Sequence, residues 1–188
     1  MKRQMFISLF LVALCGLMLG PAQSVLAGDE AGPELVGSPK CKACHKAKTG
    51  DQWKIWTESK HAGAFETLAS EEALKIAADQ GLGDPQKEEA CLKCHVTGAF
   101  LGSEIVVSAK GKYVPDEGIG CEACHGPGSA YKSKKVMVDP AAAKEAGLLR
   151  DNTEAACTKC HNESSPTFKG FDFEKRWAEI AHSVPEKE

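Results

Sequence analysis

The sequence predicts a mainly α-helical, compact domain with little or no sheet apart from one short hairpin. Between Asp51 and Leu68, one stripe of side chains recurs every four residues, which is the spacing of one helix face: Trp53, Thr57, His61 and Phe65. The stretch Glu71–Gln80 has acidic residues in its first turn and stops before Gly81, and both features are helix signals. Only "EIVVSAKGKYV" has the β-branched composition of strands. Helices and loops therefore dominate the predicted fold.

The predicted elements of the N-terminal and central parts are short. A first helix runs from Asp51 to Leu68, with His61 in its apolar stripe. The second helix takes Ser70 as its N-cap. The hairpin would turn at Lys110-Gly111, between "EIVVSA" and "KYV".

Two further helices are predicted in the C-terminal part. The stretch "DPAAAKEAGLL" suggests a short helix around Ala141–Ala146. The tail "FDFEKRWAEIAHSV" suggests a last helix, with Phe173, Trp177 and Ile180 on its buried side.

The N-terminus has the pattern of a secretory signal peptide. Met1-Lys2-Arg3 supplies positive charge, the apolar run Phe6–Leu19 follows, and Val25-Leu26-Ala27 suits a signal peptidase. The apolar run is shorter than the ~20 residues that span a membrane. We therefore predict cleavage after Ala27 and export to the periplasm. One mature domain would cover residues 28–188, with no membrane span.

The charge balance bears on the choice of partner. The formal net charge is −3, and removal of Lys2 and Arg3 makes the mature chain more acidic. An acidic chain argues against nucleic-acid binding. It suits a protein partner with a basic docking surface, through contacts that weaken as salt rises.

Four Cys-x-x-Cys pairs are the strongest chemical signal, and a histidine follows each pair at once. The pairs and their histidines are Cys41/Cys44 with His45, Cys91/Cys94 with His95, Cys121/Cys124 with His125, and Cys157/Cys160 with His161. Disulfides or zinc ribbons would explain the cysteine spacing but have no need of the histidines. A C-x-x-C-H run attaches a c-type haem, in which the histidine binds the iron. The sequence therefore predicts four covalent haem c groups, each with one iron.

The spacing within each motif has a geometric reason. Residues i, i+3 and i+4 share one face of a helical turn, so both thiols reach one porphyrin edge while the histidine reaches the iron. Four haems leave little polypeptide for each, and the porphyrins would form much of the core. We predict one compact multihaem domain in which the haems lie close together.

The supply of histidines limits the coordination of the irons. Four irons have eight axial positions, whereas the chain has 6 histidines, four of them in the motifs. The remaining two, His61 and His182, are predicted distal ligands. At least two positions then lack a histidine from this chain. Met137 or Tyr131 could bind iron at one of these positions, although ordinary packing is the alternative for each. A lysine could also bind there, and the candidates are Lys132, Lys134 and Lys135.

Several longer stretches resemble a known family. The stretch "KCKACHKAKTGDQWKIWTESKHAGAFETL", which includes His61, resembles the N-terminal part of the tetrahaem cytochrome c-554 family. The stretches "CLKCHVTGAF" and "GIGCEACHGPG" resemble its second and third haem segments. "CTKCHNESSPTFKG" and the tail with His182 resemble its fourth segment and last helix. The resemblance spans residues 39–182, with the motifs in family order.

The resemblance implies a mainly helical tetrahaem fold with haems stacked in near-parallel pairs, and a periplasmic electron carrier. It implies three haems with two histidines each and one open haem, carried here by Cys91, Cys94 and His95. The sequence departs from the family after "CHGPG", where a distal histidine is usual and this chain reads "SAYKSKKVM". Either a second haem is open, or another side chain or a partner protein supplies the ligand.

Three functions are compatible with these features. The leading hypothesis is electron transfer between a donor and an acceptor redox protein, and we favour a carrier over an enzyme. The first alternative is reduction of nitric oxide or a similar small nitrogen compound at a five-coordinate haem, motivated by the histidine deficit. The second alternative is that the chain is one subunit of a haem-lined filament. In such an oligomer, neighbouring subunits would exchange axial histidines.

Overall fold

Short helices joined by turns make up the chain in this computed structural model, which describes residues 32–102, 105–150 and 153–182. The α-helices of the described residues are α1 Ser38–Cys41, α2 Gln52–Thr57, α3 Ala64–Thr67, α4 Glu71–Asp79, α5 Glu89–His95, α6 Thr97–Leu101, α7 Cys121–His125, α8 Lys134–Met137, α9 Pro140–Glu145, α10 Glu154–Cys157 and α11 Phe173–Ile180. Two 3₁₀ turns, Ala47–Thr49 and Pro115–Glu117, join them, and the described residues contain no sheet. The predicted mainly α-helical fold is confirmed. The predicted signal peptide, residues 1–27, lies outside the described residues.

Three of the predicted helices form, and the first of them begins at its expected cap, Ser70. Helix α4 begins after Ser70, whose hydroxyl accepts the Ala73 N–H at 3.2 Å. Helix α9 begins after Asp139, whose carboxylate caps two N–H groups. In α11 the residues Phe173, Trp177 and Ile180 are half-buried while the rest of the helix is exposed, which gives the predicted buried side.

The single helix predicted from Asp51 to Leu68 is wrong, because the structure has two helices separated by a turn over residues 58–63. The N–H and the hydroxyl of Ser59 both bind the Trp56 carbonyl, at 2.9 and 2.7 Å, and so take over an acceptor at the end of α2. His61 therefore lies in the turn between α2 and α3 and not on a helix.

The predicted hairpin is also wrong. The chain turns where expected, but in the described residues its two arms bond to a third segment instead of to each other. Leu35 exchanges two backbone hydrogen bonds with Val106 and Ser108, each at 2.8 Å, and the Lys112 N–H donates to the Val36 carbonyl at 2.7 Å. The β-branched residues thus pair with a distant strand-like stretch, which their local composition gives no means of predicting.

The apolar core of the polypeptide is small. Tyr131, Ala143 and Leu148 form a buried cluster, against which three side chains pack: Val136, Met137 and Ala146. Such a small cluster fits the expectation that bound porphyrins complete the core of this domain. Across the described ranges, no helix combines the length and the apolar character needed to cross a membrane.

Candidate functional site

Each C-x-x-C-H motif lies on a helical turn. The second motif lies within α5, and the third is α7 itself. The first and fourth motifs begin at the last residues of α1 and α10. There the His45 N–H donates to the Cys41 carbonyl at 3.1 Å, and the His161 N–H donates to the Cys157 carbonyl at 3.0 Å. No disulfide joins any of the eight motif cysteines. Both thiols and the histidine of each motif can therefore face one porphyrin.

Two of the eight predicted attachment cysteines disagree with the expectation of a core filled by porphyrins. Cys44 and Cys124 are exposed in the structure, whereas the other six motif cysteines are half-buried. The reason is that Cys41 and Cys121, which begin the same two motifs, contact each other in the interior, so the second thiol of each turn lies on the outer side. The porphyrin edges at the first and third motifs are therefore expected near the surface. Haem attachment through Cys44 and Cys124 stays a prediction.

The two spare histidines each lie beside a motif histidine. The ring centroids of His61 and His161 are 6.0 Å apart with a tilt of 51°, and those of His125 and His182 are 5.9 Å apart with a tilt of 59°. Two imidazoles on opposite faces of one iron, each with a metal–nitrogen bond of about 2 Å and a ring centre about 1.1 Å beyond, have centroids about 6 Å apart. The centroid separations of both pairs therefore match the spacing of two imidazoles that share one iron.

Burial favours the neutral, metal-binding form of three of these imidazoles: His61, His125 and His161. Burial lowers the pKa of His61, and the nearby His161 lowers it further. Burial also lowers the pKa of His125, against the opposing effect of its hydrogen bond to the Leu149 carbonyl. The pKa of His161 is likewise lowered, by partial burial. A neutral imidazole has the lone pair that an iron requires.

Backbone carbonyls orient three of the histidines. The Nδ1 of His95 lies 2.6 Å from the Ala64 carbonyl oxygen, and the Nδ1 of His125 lies 2.8 Å from that of Leu149. The Nδ1 of His182 lies 3.0 Å from the carbonyl oxygen of Ile180. Because a carbonyl only accepts, each Nδ1 carries the proton and donates it. Each Nε2 is then free to bind iron.

The loop before the third motif places His61. The Ile119 N–H donates to the His61 carbonyl at 3.0 Å, and the Trp56 indole N–H donates to the Ile119 carbonyl at 2.9 Å. Gly118 has φ +72°, and a Cβ there would lie 2.5 Å from the His61 carbonyl oxygen. The glycine therefore lets two distant segments approach closely enough to fix His61.

His45 and His95 have no second histidine ring beside them, and all six histidines lie within the described residues. The predicted substitutes lie elsewhere. Tyr131 is 7% exposed, donates its hydroxyl to the Gly126 carbonyl at 2.5 Å and sits in the apolar cluster, against which Met137 also packs. Burial raises the pKa of Tyr131 and keeps the phenol protonated. The three lysines predicted as further substitutes are exposed at the surface.

The sulfur atoms show which motifs are neighbours. Contact with the Cys121 thiol is the largest cause that raises the pKa of Cys41, so the first and third motifs meet there. Burial raises the pKa of Cys160 to about 12, the adjacent Cys94 raises it as well, and Cys124 raises it less, so the second and fourth motifs meet with the third nearby. These sulfurs are the predicted attachment points of the porphyrins, so neighbouring sulfurs predict neighbouring porphyrin edges.

Two buried carboxylates join the first and third motifs, and the sequence reading missed them. Glu122, inside the third motif, is fully buried and accepts N–H groups from Val36 at 2.9 Å, Gly37 at 2.7 Å and Gly128 at 2.6 Å. The only signal in the sequence is the position of these acids among the glycines of "DEGIGCEACHGPG". Glu122 therefore holds the segment that precedes the first motif against the third motif.

Glu117 is the second of these carboxylates. It accepts the N–H and the hydroxyl of Ser38, each at 3.1 Å, and the Ser38 oxygen in turn accepts the Cys121 N–H at 3.0 Å. Burial raises the pKa of Glu117 to about 7, against the opposing effect of the Ser38 hydrogen bonds, and the nearby Glu122 raises it as well. The pair therefore brings a titratable group into the contact between two haem-binding segments.

Comparison with known proteins agrees with this geometry. Residues 40–126 match the family model described as "Cytochrome c554 and c-prime", and residues 115–166 match a model of a doubled CXXCH motif. Cytochrome c-554 of Nitrosomonas europaea is 32% identical over 124 residues, which cover 63% of this chain and 50% of that protein. The C-type polyheme cytochrome OmcC of Geobacter sulfurreducens is 32% identical over 89 residues, which cover 43% of this chain and 11% of that protein.

The chain spans about half the length of the first relative and a smaller part of the second. No solved structure matches the chain. The motif turns and the paired imidazoles define a c-type cytochrome with more than one covalently bound haem. Residues 40–126 resemble the cytochrome c-554 family, and the similarity to the Nitrosomonas protein supports that likeness.

Proposed function

We propose that the chain binds four haem c groups and transfers electrons in the periplasm between a donor and an acceptor redox protein. The proximal ligands are His45, His95, His125 and His161, in motif order. His182 is the distal ligand of the third haem and His61 that of the fourth. The observation that carries this proposal is the pair of histidine ring contacts at 6.0 and 5.9 Å.

The sulfur contacts support an electron path through the protein. They group the first haem with the third and the second with the fourth, so that each group has adjacent porphyrin edges. Short edge separations favour rapid electron exchange, while the axial ligands and burial tune each iron. The exposed thiols Cys44 and Cys124 support access of a redox partner to the first and third haems. The motif histidines and the N-terminal signal pattern support the periplasmic location, because this kind of haem attachment follows export.

Replacement of the distal histidines tests the proposal. The purified holoprotein is expected to carry four haems per chain and to show two low-spin signals from haems with two histidine ligands in electron paramagnetic resonance. His182→Ala should remove the signal of the third haem, and His61→Ala that of the fourth, so each variant is the control for the other. Fewer than four haems, loss of neither signal, or no reversible reduction by redox partners would contradict the proposal.

Reduction of nitric oxide is a second candidate, favoured by the lack of a histidine partner for His45 and His95. Two nitric oxide molecules, two electrons and two protons give nitrous oxide and water, and neighbouring haems would supply the electrons. Nitric oxide added to the reduced protein should bind and be consumed if this function holds. If nitric oxide binds but is not consumed, the reductase function is excluded and the electron-transfer function remains. A filament is not favoured, because both spare histidines lie beside histidines of the same chain.

A further inference from the structure

The two histidine pairs are held in different ways. In the pair at the third motif, both rings donate Nδ1–H to backbone carbonyls, His125 to Leu149 at 2.8 Å and His182 to Ile180 at 3.0 Å. In the pair at the fourth motif, neither ring makes a hydrogen bond to a protein acceptor within the described ranges, His61 being half-buried and His161 exposed.

An aromatic ring takes the place of the hydrogen bond at the fourth motif. The ring of Phe171 stacks on that of His161 with centroids 4.8 Å apart and a tilt of only 17°. Phe171 is half-buried just before α11, so it covers one face of the proximal imidazole. A near-parallel stack holds the ring plane without making the ring more basic.

This difference acts on the irons. A histidine that donates Nδ1–H to a carbonyl is a more basic ligand, and a more basic ligand stabilises ferric over ferrous iron. Two such donors at the third haem lower its reduction potential. Their absence at the fourth haem, together with the burial of His61, favours the reduced iron there, because burial disfavours the additional positive charge of the ferric state.

We propose that the fourth haem has a higher reduction potential than the third, and that Phe171 is a positioning residue that secures this by holding His161 with a ring stack in place of a hydrogen bond. The inference rests on the ligand assignment proposed above. In the favoured transfer, one electron passes from ferrous iron on the third motif to ferric iron on the fourth, and no bond or proton moves.

The first test orders the two potentials. The holoprotein is titrated with dithionite and ferricyanide while electron paramagnetic resonance follows each low-spin signal. The signal that is lost in His61→Ala is expected to disappear on reduction at a higher potential than the signal that is lost in His182→Ala. The reverse order, or equal midpoints, would overturn the inference. Failure of the two variants to remove separate signals would instead refute the proposed ligand assignment.

The second test concerns Phe171 itself. In Phe171→Leu the exposed His161 ring loses the stack that fixes its plane and can turn its Nδ1–H towards a hydrogen-bond acceptor, so the midpoint potential of the fourth haem should fall and its low-spin signal should shift. The third haem should keep both properties, and Phe171→Tyr should restore the parent values. Phe173→Leu is the matched control, because Phe173 stacks on Trp177 at 6.1 Å and on no histidine.

Equal effects of the two leucine variants, or a shift of both haems in Phe171→Leu, would remove the special role of Phe171. If Phe171→Leu yields no holoprotein, the order of potentials measured in the parent protein still decides the inference.

Discussion

The first and third motifs meet at Cys41 and Cys121, and the second and fourth meet at Cys94 and Cys160. In the first–third region, as we call the former contact, buried carboxylates hold the backbone together. The second–fourth region, at Cys94 and Cys160, depends instead on aromatic rings. The Lys159 ammonium lies 5.9 Å from the Phe100 ring centre, and Phe171 stacks on a motif histidine. The same five-residue motif is thus supported by two kinds of chemistry.

The difference shows that the motif determines haem attachment but not the environment of the haem. Each region combines one motif whose histidine has a histidine partner with one whose histidine has none. Among the residues that the structure describes, a carboxylate whose pKa is raised to about 7 occurs in the first–third region alone. We therefore expect the first–third region to respond to pH and to the loss of a single charge. The second–fourth region should respond to changes of packing.

The largest effect is expected from Glu122→Ala. The substitution leaves the N–H groups of Val36, Gly37 and Gly128 without an acceptor inside the protein. At about 1–3 kcal/mol for each orphaned donor, the free energy of unfolding should fall by about 3 kcal/mol or more. Chemical denaturation of the holoprotein measures this loss.

The control for Glu122→Ala is Asp116→Ala, which removes an exposed acid from the turn before the same motif. Its effect should stay within about 0.5 kcal/mol. A loss for Glu122→Ala no larger than that of Asp116→Ala would mean that the buried carboxylate does not hold the first–third region together.

The second prediction is a pH dependence of stability due to Glu117. Because its pKa rises from 4.5 to about 7 on folding, the folded state keeps a proton that the unfolded state has lost. The contribution is fully present below the unfolded pKa and declines as pH rises toward 7, by at most about 3 kcal/mol. Glu117→Gln should flatten this part of the stability profile, and Asp116→Asn should change it much less, because Asp116 is the smallest of the causes that raise the Glu117 pKa. If the stability of the parent protein instead rises between pH 4.5 and about 7, as that of Asp116→Asn does, Glu117 is not the source of the pH dependence.

Much of this organisation could be predicted from the sequence, but only where the signal is local. The capped helix after Ser70 and the helical tail follow from caps and periodicity, and the structure confirms both. The break before His61 and the pairing of Val106 with Leu35 depend on partners far along the chain, and both expectations were wrong.

The candidate site divides in the same way. The haem motifs and the two spare histidines can be read from spacing and counting. Which motif each spare histidine joins depends on the fold, because the rings of His61 and His161 meet only in three dimensions. The burial of Glu122 does too, because its carboxylate meets the distant Val36 N–H only in the folded chain. The exposure of Cys44 and Cys124 has the same origin, since identical motifs differ in which thiol faces the interior. Residue types alone carry no information about such distant contacts.

The third prediction links the two regions through Gly118→Ala. Gly118 precedes the third motif, but a Cβ there would collide with the carbonyl of His61, which pairs with the fourth motif. The positive φ and the collision together should cost about 1–3 kcal/mol of stability. They should also broaden or shift the low-spin signal of the fourth haem. Gly32→Ala is the control, because a Cβ at Gly32 meets nothing within 4 Å. An unchanged signal in Gly118→Ala would mean that this loop does not position His61.

The smallest effect is expected from Lys159→Met in the second–fourth region. The ammonium group lies 5.9 Å from the Phe100 ring centre, at the outer limit of a cation–π contact, and the lysine is exposed, so its loss should cost about 0.5–1 kcal/mol. Lys93→Met is a matched control, because Lys93 holds the same position within the second motif. Denaturation midpoints of the two variants measure the difference. Equal midpoints would show that the Phe100 contact adds nothing, so that the aromatic support of this region depends on the Phe171 stack.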